Sequence, residues 1–137
     1  MGSRKRLKAE ERKEDLKGTF FAKLNNCPTS PRKMRLVVEL IRGKKVDKAL
    51  HILKACPKDA SNDLHKLLLS AIANWQHKNE GVRMEDSKLY IKEVMVDSGR
   101  MMKRLRPAPQ GRAYRVRKRS NHVTLLLESA NINETQE

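Results

Sequence analysis

"RVRKRSNHVTLLLES", residues 115–129, reads as one β-strand with a face that changes character halfway along. Arg115, Arg117 and Arg119 share their parity with Val123, Leu125 and Leu127, and residues of one parity line one face of a strand. The end at Val123–Leu127 can enter a core; the end at Arg115–Arg119 cannot. A second segment, "KLYIKEVMV" (Lys88–Val96), is rich in β-branched and aromatic residues and reads as a strand that can pair with the apolar half. The pattern predicts a hairpin with a packed base and a protruding outer half. At about 3.3 Å per residue the protrusion from Met95 to Pro109 would reach roughly 40–50 Å. Gly99, Pro107, Pro109 and Gly111 fall between the two segments, which lie too far apart for a two-residue turn, so an irregular tip is expected.

The protruding stretch is "GRMMKRLRPAPQGRAYRVRKR", Gly99 to Arg119. Nine of its 21 residues are Lys or Arg, none is acidic, and Tyr114 is its one aromatic. The whole chain has 137 residues, 31 basic and 16 acidic, for a formal net charge of +15. No acid lies between Asp97 and Glu128, so the remainder of the chain holds 22 basic against 16 acidic residues, a net of only +6. Charge so concentrated points to a polyanion, most often nucleic acid. Arg outnumbers Lys in the segment, and its planar fork suits phosphates and stacks on bases. A single aromatic is too few for a single-strand stacking platform. Backbone and shape recognition of folded RNA is the expectation, with Arg100, Lys103, Arg104, Arg106, Arg112 and Tyr114 on the outer part and Arg115, Arg117, Lys118 and Arg119 on the returning arm.

Elsewhere the pattern predicts one domain. Thr19–Cys27 reads as a strand. Ser30 suits an N-cap and Pro31 a first helical turn, Met34, Val37, Val38 and Ile41 follow at helical spacing, and Gly43 suits the stop. A second helix is predicted over Val46–Ala55, with Leu50 and Leu53 inside and Pro57 as terminator. In the third, Leu64, Leu67, Leu68, Ala71, Ile72 and Trp75 form one apolar stripe. "NEGVRMEDS" reads as a loop, and the last residues, "ANINETQE", as a fraying tail. Residues 1–17 form a charged lead, a short exposed helix or disordered. It lacks the apolar centre of a signal peptide and is too acidic for a transit peptide. The first helix adds Arg32, Lys33, Arg35 and Arg42 as further anion ligands, two of them in its first turn, where backbone amides favour a phosphate; a plain solvated face is the alternative for these four. No apolar run is long enough to span a membrane. Cys27 and Cys56 lie far apart without metal-ligand spacing and read as reduced thiols; no metal or other cofactor is implied. His51, His65, His77 and His122 are scattered, and no phosphate loop or nucleophile elbow exists, which argues against an enzyme.

Three stretches in order, "SPRKMRLVVELIRGKKVDKAL", "LLLSAIANW" and "VDSGRMMKRLRPAPQGRAYRVRKRSNHVTLLL", resemble the bacterial form of the ribosomal large-subunit protein twenty-two family, over about Phe20–Glu128. The resemblance implies an α+β fold: a three-stranded antiparallel sheet packed with three helices, plus a long protruding β-hairpin at about 97–121. It implies a single rRNA-binding domain over 18–128, preceded by the extension 1–17 and followed by a flexible tail 129–137. It implies a structural constituent of the large ribosomal subunit, cytoplasmic and not an enzyme, that binds 23S-type rRNA and supports assembly. Its globular part would sit near the exit of the nascent-peptide tunnel. The hairpin tip would line the tunnel beside large-subunit protein four, facing the nascent polypeptide, with no membrane insertion. Carried over by motif, Ser30 joins the rRNA ligands through "SPRKMR". Ser120 and His122 join through the returning arm. Met101, Met102, Lys103 and Arg104, with Pro107, Gln110, Gly111 and Arg112, become the tunnel-lining tip. Two departures stand out: Arg106-Pro107-Ala108-Pro109 replaces the family's Arg-Pro-Arg-Ala, and Met101 stands where smaller residues are usual. A free-standing basic chaperone or DNA-compacting protein is the alternative class, and heptads or a dimerising sheet would favour it. An enzyme would require a clustered polar pocket.

Overall fold

The computed structural model describes residues 3–17, 19–79, 82 and 87–129. Its elements are α1 (Ser3–Lys17), β1 (Phe20–Cys27), α2 (Pro31–Ile41), α3 (Val46–Ala55), α4 (Ala60–Lys78), β2 (Leu89–Pro107) and β3 (Ala113–Ser129). The sheet is antiparallel in the order β1-β3-β2, so the half-charged, half-apolar segment is its central strand. Three helices pack on this sheet as the resemblance implied: α2 and α4 lie against its strands, and α3 lies against both of them. The fourth, α1, precedes them, and its residues 3–14 are exposed throughout.

One sheet face supplies half the core. Val123, Leu125 and Leu127 are buried, flanked by Phe20 and Ala22 from β1 and by Leu89, Ile91, Val94 and Val96 from β2. The buried set on β2 changes parity between Ile91 and Val94. A β-bulge does this: Ile91 pairs with Leu127 and Glu93 with Leu126, leaving Lys92 as the extra residue. The helices supply the other half. All six residues of the predicted α4 stripe are buried, as are Met34, Val37, Val38 and Ile41 of α2, while Leu53 of α3 is buried and Leu50 partly so. Phe20 and Trp75 meet edge to face, with ring centroids 6.4 Å apart.

Helix starts and stops follow the local chemistry. Pro31 occupies the first turn of α2, and the Ser30 carbonyl accepts the Lys33 and Met34 amides at 3.0 and 3.1 Å, though the Ser30 side chain makes no cap bond. Gly43 ends the turn at φ +70°, a conformation glycine adopts without a Cβ penalty. Its N–H donates to the Ile91 carbonyl, and the Ile91 N–H donates to the Lys44 carbonyl, pinning the α2–α3 link to β2. β3 runs one residue beyond the expected domain limit: Ser129 is buried, and its hydroxyl donates to the Ser87 carbonyl at 2.9 Å. The rest of the predicted tail, from residue 130, and most of the predicted loop at 79–87 lie outside the described residues.

Candidate nucleic-acid interface

The arm begins where the core ends. Val96↔Val123 is the last rung with both side chains buried. Beyond it Asn121 is fully buried, and its side-chain amide donates to the Thr29 carbonyl, while its Oδ1 has no partner among the described residues. The ladder then takes a second bulge. Ser98 pairs with Asn121 and Met101 with Arg119, so Gly99 and Arg100 together oppose Ser120. A Cβ on Gly99 would lie 2.7 Å from Ser120 Oγ, 3.1 Å from His122 Nε2 and 3.2 Å from the Ser120 carbonyl carbon, so any side chain here would have to displace Ser120 and His122. Ser120 donates to the Arg100 carbonyl, and His122 Nδ1 accepts the Asn26 N–H at 3.1 Å. These bonds make an elbow between body and arm, since a bulge bends its strand and increases its twist. Gly99, expected to help loosen the tip, sits here instead. A concavity beside the elbow gathers Arg100, Lys118 and Arg119 near Asn26 and Pro28.

Past the elbow, seven rungs run from Met101↔Arg119 to Pro107↔Ala113. Directly opposed residues share a face. One face therefore carries Met101, Lys103 and Leu105 opposite Arg119, Arg117 and Arg115. The other carries Met102, Arg104 and Arg106 opposite Lys118, Val116 and Tyr114. Both faces are basic. Lys103 opposes Arg117, a like-charge pair that weakens the ladder. Among the described residues no carboxylate pairs with any arm cation. Nothing apolar covers the arm either: Met102, Leu105 and Tyr114 are 51%, 71% and 63% exposed.

The tip corrects the sequence expectation. The strands continue to Pro107 and Ala113, and the connection is a tight turn at Pro109–Arg112 rather than an irregular loop. Gln110 and Gly111 both have positive φ, +62° and +70°, the signature of the turn type whose twist matches a hairpin. The Ala108 N–H donates to the Arg112 carbonyl at 2.9 Å, and the Arg112 N–H to the Pro109 carbonyl at 3.4 Å. Pro107 and Pro109 break the strand pattern in sequence, yet a proline is tolerated at a strand end, where the missing N–H leaves no gap in the ladder. Gln110, Gly111 and Arg112 are thus the true tip. Met101–Arg104 lie in the paired ladder, several rungs below it.

The α2 cations divide in two. Arg32 and Lys33 are exposed in the first turn, beside Ser30. Arg35 and Arg42 turn the other way: their guanidinium groups donate to the Val96 carbonyl at 2.9 Å and the Val94 carbonyl at 3.3 Å. Arg42 also pairs with Glu39 at 3.3 Å. β2 is an edge strand, and these arginines cover its unpaired carbonyls. Spacing alone gave no sign of this, because it needs the edge position of β2. The residues that build the elbow, Asn26 and Asn121, carried no sequence signal beyond the glycine near them.

A family profile described as "Ribosomal protein L22p/L17e" matches residues 22–128. The chain belongs to this family of ribosomal proteins. Proteins named "Large ribosomal subunit protein uL22" are similar to it over nearly their full length: that of Christiangramia forsetii is 66% identical over 131 residues, covering 96% of this chain and 97% of its own. Those of Flavobacterium psychrophilum and Bacteroides fragilis (strain YCH46) are 64% and 57% identical, each covering 99% of this chain and 98% and 99% of their own. The family is one of structural components of the translation machinery and not of enzymes. The fold agrees with what the resemblance implied. Among the described residues no helix is long and apolar enough to cross a membrane, and no group of three His, Cys, Asp or Glu is placed to hold a metal.

Proposed function

We propose that this protein is built into the large ribosomal subunit, in the cytoplasm, as an rRNA-binding constituent that supports assembly. The arm carries the reading. Seven β rungs with basic residues on both faces, no acid and no core have no internal reason to stay extended. RNA phosphates supply the counter-charge that the arm lacks. Arg100, Lys118 and Arg119 at the elbow, Lys103, Arg104, Arg106, Arg115 and Arg117 along the ladder, and Arg32 and Lys33 with Ser30 on α2 hold the rRNA. Ser120 and His122 shape the elbow that aims them, and Arg35 and Arg42 brace β2. Following the family, the body sits near the exit of the nascent-peptide tunnel, and the arm runs inward toward large-subunit protein four. Gln110, Gly111 and Arg112 then face the lumen, with the exposed Met102 and Leu105 below them.

Affinity for 23S-type rRNA should fall steeply with salt, because each neutralised phosphate releases counterions. Replacing Arg115, Arg117 and Arg119 with alanine should flatten the slope of log K against log salt by about 2–3 for three lost phosphate contacts. An unchanged slope in the triple variant would remove the basic-arm argument. A photo-crosslinker at Gln110 should capture nascent chains on translating ribosomes; its failure to do so would overturn the tunnel placement alone.

A further inference from the structure

The concavity beside the elbow has walls of three kinds. Arg100, Lys118 and Arg119 give it positive charge, and no carboxylate lines it. Pro28 and Met102 give it exposed apolar surface. Asn26 and Ser120 give it hydrogen-bonding groups. The Ser120 hydroxyl is committed to the Arg100 carbonyl. The Asn26 side chain makes no hydrogen bond among the described residues, and an amide offers donors and an acceptor side by side. A phosphate would be satisfied by the cations alone. The apolar walls and the free amide suit a ligand that is flat, apolar on its faces and polar at its edge.

These walls are held in place by the fold itself. Asn26 sits in the left-handed region at φ +54°, and its N–H is tied to His122 Nδ1 at 3.1 Å. Glycine would adopt this conformation freely; asparagine tolerates it and adds the amide. Pro28 lies between two anchors, since Cys27 pairs with Asn121 and the buried Asn121 amide donates to the Thr29 carbonyl. Met102 is half exposed, and Arg104 Nη2 donates to its sulfur at 3.6 Å. Walls fixed in advance reduce the ordering cost of binding. The concavity measures about 240 Å³, below the roughly 300–1,000 Å³ of pockets for drug-sized molecules, so it suits a single ring system.

We infer that the elbow concavity receives one nucleobase, extruded from the rRNA strand that the arm binds. Pro28 and Met102 pack on its ring, a thioether being a favourable neighbour for an aromatic system. The guanidinium groups of Arg100 and Arg119 stack on it or hold its phosphate. The Asn26 amide reads its edge, and unstacked bases are where proteins read RNA sequence. Position selects RNA over a peptide as the occupant. Met102 and Lys118 open the arm face that continues through Arg104, Arg106 and Tyr114, so a strand held along that face passes the concavity. The inference rests on the rRNA-binding reading above and adds to its phosphate contacts one point of base recognition.

The test probes purified 23S-type rRNA, free and bound to the full chain, with base-specific reagents and with a reagent that acylates 2′-hydroxyls. In the parent complex one nucleotide of the footprint should lose reactivity at its base and gain it at its ribose. Two variants each remove a wall without changing charge. Asn26→Gly keeps the left-handed backbone and the bond to His122; Met102→Ala alters an exposed side chain outside the core. Each should restore the reactivity of that base while keeping the parent's salt slope, because no cation is lost. Asn26→Gly should weaken binding about 2- to 10-fold, for one or two lost hydrogen bonds. If no nucleotide shows the paired change, the concavity holds a phosphate or a protein segment; if base protection survives either substitution, the base is held elsewhere. Each result overturns the inference. A parent without a steep salt slope would overturn the rRNA reading as well, whereas a steep slope without the paired change overturns only the base site.

Discussion

At the scale of single residues, the same side-chain type does different work according to what it reaches. Arg35 and Arg117 are both arginines in basic stretches. Arg117 faces a lysine across an open ladder, while Arg35 holds the Val96 carbonyl on the edge of β2. Arg35→Ala should therefore destabilise the body by about 1 kcal/mol, read as a lower urea midpoint, with little change in the salt slope of RNA binding. A flattened slope at unchanged stability would return Arg35 to the RNA ligands. A second residue-scale prediction concerns pH. Glu128 accepts hydrogen bonds from the Tyr90 hydroxyl and from Lys92, the latter at 2.9 Å. These two bonds, the tyrosine's the larger effect, hold its carboxyl below the ordinary value of 4.5. The ionised form is thus favoured in the folded state. Its stabilisation is complete above pH 4.5 and is lost as pH falls through the lowered folded value. The site is partly open to solvent, so the contribution is below about 1 kcal/mol. Glu128→Gln should be slightly less stable than the parent at pH 7, and the gap should narrow as pH falls below 4.5 through the lowered folded value; a gap independent of pH would mean the charge contributes nothing. None of this was legible in the sequence, because Tyr90, Lys92 and Glu128 meet only through the pairing of β2 with β3.

At the scale of elements, period-based reasoning succeeded where burial set the pattern. The α4 stripe and the alternation of Val123, Leu125 and Leu127 are each enforced by a core, and the structure buries all of them. It failed where backbone geometry broke the period. The bulge at Lys92 shifts the buried parity of β2, and the bulge at Gly99 and Arg100 moves an expected tip feature to the elbow. Outside the core the arm has no apolar alternation, so nothing in composition marked how far pairing continues. The elbow itself can be tested. Gly99→Ala places a methyl group against Ser120 and His122, including the Ser120 backbone, which cannot rotate away. It should cost about 1–3 kcal/mol and should loosen the Ser120–Arg100 and His122–Asn26 bonds first. Amide chemical shifts would show the change centred on 98–101 and 119–122. A variant with parent stability and unshifted elbow amides would show that the close approach is not needed.

At the scale of the whole molecule, two regimes of order are joined by the elbow. The body has a continuous core running from β1 through α4 to the base of the hairpin. The arm has backbone pairing alone, and an isolated two-stranded hairpin is marginally stable in water. Like charges across Lys103↔Arg117 and exposed side chains on both faces weaken it further. The turn at Gln110-Gly111 favours the hairpin geometry but adds no burial. A ladder can therefore be the arm's best structure without being a persistent one, and hydrogen exchange distinguishes the two. In the free protein, amides of Ile72 and Leu125 should exchange near the rate of global unfolding, while 101–107 and 113–119 should exchange through frequent local opening at a much lower free energy. Addition of 23S-type rRNA should slow the arm by orders of magnitude and leave the core amides nearly unchanged, because phosphates then supply the counter-charge and exclude water. Slow exchange along 101–107 in the free protein would mean that the hairpin supports itself, and the RNA would then bind a preformed arm rather than order it.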